Sequence, residues 1–84
     1  MRVRLTERSR RQYADAPLGV QRAFDRKLEL LTENLRHPSL RAKKYDEGTA
    51  VWQGRITRGW RFYFQIEADT YLVLSLIPHL KYLK

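Results

Sequence analysis

The chain has 84 residues, is 43% hydrophobic, carries 17 Lys and Arg against 9 Asp and Glu for a formal charge of +8, and contains no cysteine. One domain spanning 1–84 follows, because two halves would each be too small to bury a core unaided. The composition excludes a disulfide framework, a thiolate metal site and a cysteine nucleophile, and the apolar content argues against a disordered polycation. The first residues, Met1-Arg-Val-Arg-Leu-Thr-Glu, lack the apolar run of a signal peptide. The apolar stretch at 71–76 is far short of the ~20 residues that span a bilayer. The expectation is a small cytoplasmic domain without a membrane partner. Twelve of the 17 cations are Arg, whose planar fork suits bidentate phosphate contacts. The charge therefore predicts a polyanionic partner, with nucleic acid ahead of an acidic protein and an anionic membrane last.

In chain order, Val3 and Leu5 alternate with Arg2 and Arg4, a short strand with one buried face. Thr6 is placed to cap a helical segment over residues 7 to about 14, and Pro17 sits where proline favours the first position of a new helix. From Leu18 the period is helical. Val20, Phe24, Leu28, Leu31 and Leu35 form one stripe with Ala23 and Leu30 beside it, while Arg22, Asp25, Arg26, Glu29 and Glu33 lie off it. Asn34 and Arg36-His37-Pro38 stop the helix, since a residue before proline resists the α region. His37 reads as a cation interacting with that helix's C-terminal dipole.

The second half changes period. Val51-Trp-Gln-Gly-Arg-Ile-Thr is strand-like, Arg58-Gly59 signals a turn, and the next strand alternates. Trp60, Phe62, Phe64 and Ile66 fall on one face, and Arg61, Tyr63, Gln65 and Glu67 on the other. Ala68-Asp69 is a tight link to an apolar run at 71–77 that reads as a central strand ending at Pro78. Short links make these last three strands antiparallel. The predicted fold class is α+β: a small antiparallel sheet with two N-terminal helices packed on one face, ordered β-α-α-β-β-β, and a short C-terminal tail. The other face would carry cations and aromatics, a combination suited to binding RNA.

Chemistry concentrates at 40–61, where Arg41, Lys43, Lys44, Arg55, Arg58 and Arg61 cluster. Cations held on a rigid sheet can share a phosphate and stabilise charge growing on it. Arg61 is flanked by Trp60 and Phe62, so its exit face is set by theirs. His79, after the last strand, can donate or accept a proton near neutral pH, and Tyr82 stands three residues on. There is no Gly-rich phosphate loop, no paired-carboxylate signature and no cluster at metal-ligand spacing. Neither a metal nor another cofactor is expected. RNA cleavage would then rest on cations, a proton donor and the RNA 2′-hydroxyl.

The layout resembles the RelE/ParE superfamily of bacterial type II toxin–antitoxin toxins over essentially the full chain. The resemblance is carried by Ala16-Pro17-Leu18 at the start of the long helix, Leu31-Thr-Glu-Asn-Leu-Arg-His-Pro-Ser-Leu, Arg41-Ala-Lys-Lys and the hairpin from Val51 to Ile66. The final strand ending at His79 completes it. RelE-like members cleave mRNA in the ribosomal A site without metal; ParE-like members poison DNA gyrase; a cognate antitoxin wraps and neutralises both. The resemblance implies that Arg61 contacts the scissile phosphate with Arg55 as a second cation. It makes His79 the general acid and Tyr82 a stacking or orienting ring, and it makes Lys43 and Lys44 candidates to stabilise the 2′-oxyanion or to act as base, with Lys43 placed among the catalytic residues. Lys44, Arg41, Arg58 and Tyr63 would bind RNA. Asp46 and Glu47 are the carboxylates nearest the family's base position. The implied function is a ribosome-dependent, metal-independent mRNA endoribonuclease, with a gyrase inhibitor lacking chemistry of its own as the alternative.

Overall fold

The structure, a computed structural model, describes residues 1–79. The elements are β1 (Arg2–Leu5), α1 (Glu7–Asp15), α2 (Leu18–Glu33), a single 3-10 turn (Pro38–Leu40), β2 (Lys43–Asp46), β3 (Val51–Thr57), β4 (Trp60–Glu67) and β5 (Thr70–Pro78). Thr6 caps α1 as its sequence position predicts, its hydroxyl oxygen accepting from the Ser9 N–H at 3.1 Å. Pro17 stands one residue earlier than expected, at the N-cap of α2, and its carbonyl accepts from the N–H groups of Val20 and Gln21. The helix ends at Glu33 with Asn34 extended behind it.

The α+β class stands, with the two helices packed on a sheet, but the sheet differs from expectation in two ways. It has five strands, in the order β1-β5-β4-β3-β2, and it is mixed, because β1 runs parallel to β5. Strand β2 falls in the stretch expected to be a connection. All four of its residues are exposed, so no hydrophobic period marks it, and backbone pairing with β3 alone makes it a strand. The three antiparallel partners β3, β4 and β5 are joined as their short links require.

The core lies between α2 and one sheet face. Phe24 and Leu31 of α2 meet Ile56, Phe62, Phe64, Val73 and Leu76, all nearly inaccessible. Phe24 meets Phe62 edge-on at 5.4 Å between ring centroids, and Phe62 stacks on Phe64 at 5.3 Å. Ile66, expected on this face, is 39% exposed, so the helical layer ends short of it. The apolar run of β5 is not uniformly buried either. Register with β4 slips between Tyr63 and Phe64, leaving Leu74 unpaired as a bulge. Burial accordingly passes from Tyr71 and Val73 to Leu76.

Helix α1 covers the edge of β5 that β1 is too short to pair. The Ser9 hydroxyl donates to the Val73 carbonyl at 2.9 Å, that of Thr6 to the Leu74 carbonyl at 3.2 Å, and Leu76 N–H donates to Gln12 Oε1 at 2.8 Å. Ser9, the buried polar side chain, is thereby satisfied. The sheet face away from α2 keeps its polar and aromatic side chains for other work.

Candidate functional site

Alternation along β3 and β4 sends Gln53, Arg55, Arg61 and Tyr63 to the face opposite the core. Cross-strand register then brings Arg55 directly opposite Arg61, and Gln53 opposite Tyr63 on one side and Lys43 on the other. Two like charges facing each other across a ladder destabilise the pair, and an anion between them reverses the sign of that interaction. One amino group of Arg61 is anchored: Nη1 donates to the carbonyls of Thr57 at 2.8 Å, Trp60 at 3.0 Å and Arg58 at 3.2 Å. The guanidinium is thus fixed to the β3–β4 turn. His79 is tied to the same turn, its backbone N–H donating to Gly59 O at 2.7 Å. Arg41 adopts the left-handed conformation (φ 46°) that closes the Pro38–Leu40 turn. These placements gather Arg41, Lys43, Gln53, Arg55, Arg61 and His79 around a cleft of ≈ 220 Å³. Among the described residues, no carboxylate lines it.

The other candidates lie elsewhere. Lys44 pairs with Trp52 and so faces the opposite side of β2 from Lys43. Its Nζ stands 6.0 Å from the Trp52 ring centroid and 3.7 Å from Glu47 Oε2. Tyr63 borders the cleft rather than lining it: its hydroxyl accepts from Gln53 Nε2 at 2.9 Å, and its ring meets Tyr45 edge-on at 5.0 Å. Tyr45 and Tyr63 line a neighbouring groove with Asp46 and Arg8. Asp46 Oδ1 accepts from the Gly48 N–H at 3.0 Å, so neither it nor Glu47 reaches the cationic cleft. Arg58 does not line the cleft but a second basin on the α2 side of β3, which shares Arg41 and Arg55 with it. Tyr82 lies outside the described residues. Among the described residues no three His, Asp or Glu side chains gather as a metal site, and no helix is long and apolar enough to cross a membrane.

No family model matches this chain, and no curated protein matches its sequence. Solved structures do match its backbone. A YoeB/ParE toxin from Agrobacterium tumefaciens superposes with a TM-score of 0.79 at 14% identity over 94% of this chain and 99% of that one. The RelB–RelE antitoxin–toxin complex from Methanococcus jannaschii gives 0.74 at 14% identity over 92% and 89%. YafQ from E. coli strain BL21(DE3) gives 0.72 at 10% identity over 100% of both chains. The chain has the RelE/ParE toxin fold. Identities this low carry the RelE/ParE backbone and not its side chains, so the chemistry has to be read from this chain's own residues.

Within this RelE/ParE fold, two side chains near the cleft escape a reading by period and charge. Gln53 is a neutral residue on a strand, and only register shows that it links the cleft to Tyr63. Lys27 sits three residues after Phe24 and seven after Val20, so it falls on the buried stripe of α2, where a lysine is out of place. Its Nζ donates to Ser39 O at 3.0 Å. Burial lowers its pKa below the ordinary 10.5, with Arg55 and then Arg26 adding repulsion. His37 also departs from expectation. Its backbone N–H donates to the Asn34 carbonyl behind α2 at 2.9 Å, and its side chain serves the next element: Nδ1 accepts from the Ser39 N–H at 3.2 Å and caps the Pro38–Leu40 turn. Accepting that bond requires Nδ1 to be unprotonated.

Proposed function

We propose that this chain is the toxin of a type II toxin–antitoxin pair and that it cleaves mRNA in the ribosomal A site without metal. The observation that carries the reading is the cleft in which Arg55 and Arg61 oppose each other beside Lys43 and His79. In this reading the 2′-oxygen attacks the adjacent phosphorus and the bond to the 5′-oxygen breaks. A 2′,3′-cyclic phosphate and a free 5′-hydroxyl result. Arg61 and Arg55 stabilise the charge that grows on the phosphorane oxygens, which is the use to which fixed donors in a site are best put. His79 gives its proton to the leaving 5′-oxygen. Lys43, the member of the lysine pair that faces the cleft, stabilises the 2′-oxygen as its proton passes to water. Arg41, Arg58 and Tyr63 hold the flanking strand, and Tyr82 is proposed to orient a base.

The proposed partners are the ribosome with its mRNA, which would place the protein in the cytoplasm, and a cognate antitoxin. Support for the antitoxin comes from the excess of positive charge and from the M. jannaschii structure of the same fold, which holds a toxin with its antitoxin. A second reading, a gyrase inhibitor without chemistry of its own, shares the fold, but it needs no proton donor beside a phosphate clamp. Controlled expression, followed side by side for translation and for DNA supercoiling, separates the two. The expected result is translational arrest with mRNA cut inside codons and supercoiling unchanged; relaxed DNA with intact mRNA would select the gyrase reading.

A further inference from the structure

A second cationic basin, of ≈ 470 Å³, lies on the α2 side of β3 and is lined by Lys27, Ser39, Arg41, Arg55 and Arg58 among others. Arg41 and Arg55 are shared walls: they also line the cleft that holds Arg61 and His79. The two basins therefore adjoin at Arg41 and Arg55. Among the described residues, the charged side chains that line them are all cationic apart from His79. Lys27 anchors the far end, reaching out of α2 to the Ser39 carbonyl.

We propose that this basin is a second phosphodiester subsite, in which Lys27 and Arg58 take the phosphate next to the scissile one on the same RNA strand. The inference rests on the nuclease reading for the identity of the strand. Three observations carry it. Arg41 and Arg55 line both basins, an arrangement that suits a ligand with anionic groups repeated along its length, as a nucleic-acid backbone has. The charged side chains of the wall, Lys27, Arg41, Arg55 and Arg58, are all cationic, and of its apolar residues Ile56 is almost fully buried, so what the basin offers a ligand is positive charge. Burial first, and then the positive charges of Arg55 and Arg26, disfavour the charged form of Lys27, and a phosphate beside it would offset that repulsion.

A short single-stranded RNA with 2′-O-methyl riboses, which cannot be cut, tests the subsite by its affinity at several salt concentrations. Each lost phosphate contact on a single strand reduces the slope of log K against log salt by about 0.7. Lys27→Gln and Arg58→Gln are each expected to lower the slope by about that amount, weakening all sequences alike. Lys27→Arg should restore it, and Arg22→Gln, an equal charge change on the same helix, should leave it unchanged. Thermal melts check folding, and Arg58, exposed at a turn, supplies a variant with little structural burden. An unchanged slope in both glutamine variants overturns the subsite, as does RNA binding without salt dependence in the wild type. Loss of affinity for an acidic antitoxin peptide with RNA affinity retained would assign the basin to a protein partner instead. Cleavage on programmed ribosomes is read separately: a wild type that binds RNA with the expected slope but does not cut overturns the nuclease reading and leaves the subsite standing.

Discussion

On β4, Phe62 and Phe64 are fully buried against the helical layer, while Arg61 and Tyr63, which alternate with them along the strand, stay partly exposed on the opposite face. The same strands thus build two surfaces of different physics. One face is aromatic rings in contact, and its residues contribute by removal of apolar area from water and by close packing. The other is a row of cations and hydrogen-bonding groups whose mutual repulsion opposes folding and favours an anionic ligand. Damage to the two faces should therefore separate into lost activity and lost stability. Arg61 is the informative exception, because it belongs to the cleft and also ties the β3–β4 turn.

The largest expected effect is on the cationic face. His79→Ala should slow single-turnover mRNA cleavage on programmed ribosomes by roughly 10²–10⁴-fold, the usual worth of a positioned acid. Arg61→Ala should slow it by roughly 10²–10³-fold. Arg61→Ala should also melt lower, by about 4–8 °C, if its three turn contacts are together worth about 1 kcal/mol. His37→Ala, which removes the cap of the Pro38–Leu40 turn but no side chain that lines the cleft, should leave cleavage near wild type. Wild-type cleavage by Arg61→Ala would move the phosphate clamp elsewhere and remove the main support for the nuclease reading.

A smaller effect, purely on stability, is expected from the buried face. Gly54 is the cross-strand partner of Phe62, and a Cβ there would run into the Phe62 ring. Gly54→Ala should cost about 1–3 kcal/mol, the range for overpacking a core. Gln53→Ala next to it, on the outer face, loses a bond to the Tyr63 hydroxyl and should cost about 1 kcal/mol or less. Urea midpoints of the two variants measure the contrast, and equal losses would mean that the faces are not independent.

The smallest effect is in the alkaline limb of stability. The hydrogen bond to Asp25, then burial, raises the Tyr13 pKa above the ordinary 10.0, and burial raises that of Tyr71. A folded-state pKa above the unfolded one gives stability that is complete below the unfolded value and is lost as pH rises through the folded one. Lys27 acts in the opposite sense: its depressed pKa makes the folded state recover stability as pH climbs towards 10.5. Tyr13→Phe should therefore flatten the loss of stability above pH 10, and Lys27→Gln should steepen it. Denaturant midpoints measured across that range check both signs, and a Tyr13→Phe curve parallel to wild type would remove the Asp25 bond as their cause.

Much of the fold is legible in the sequence because it is written locally. The stripe through Val20, Phe24 and Leu31 has the period of a helix, Thr6 has the chemistry of a cap, and the residues from Trp60 to Phe64 alternate with the pleat of a strand. That same alternation is enough to place Arg61 on the outer face, between the inward rings of Trp60 and Phe62. Strand β2 is not legible, because Lys43-Lys44-Tyr45-Asp46 has no buried face to give it a period. The β5 bulge is not legible either: Leu74 is apolar like its neighbours, so the slip in phase leaves no mark in composition.

By itself, then, the sequence determined the α+β class, the identity of the helices and of the last three strands, and the side of the sheet on which Arg61 lies. Each of these follows from periodicity within a few residues. Only the tertiary structure decided that β1 pairs in parallel with β5, that Arg55 stands directly opposite Arg61, that Lys43 faces the cleft and Lys44 does not, and that Lys27 of α2 joins Arg41, Arg55 and Arg58 around one basin. Those are relations between separate elements. Register and packing set them, and neither is a property of any short run of residues.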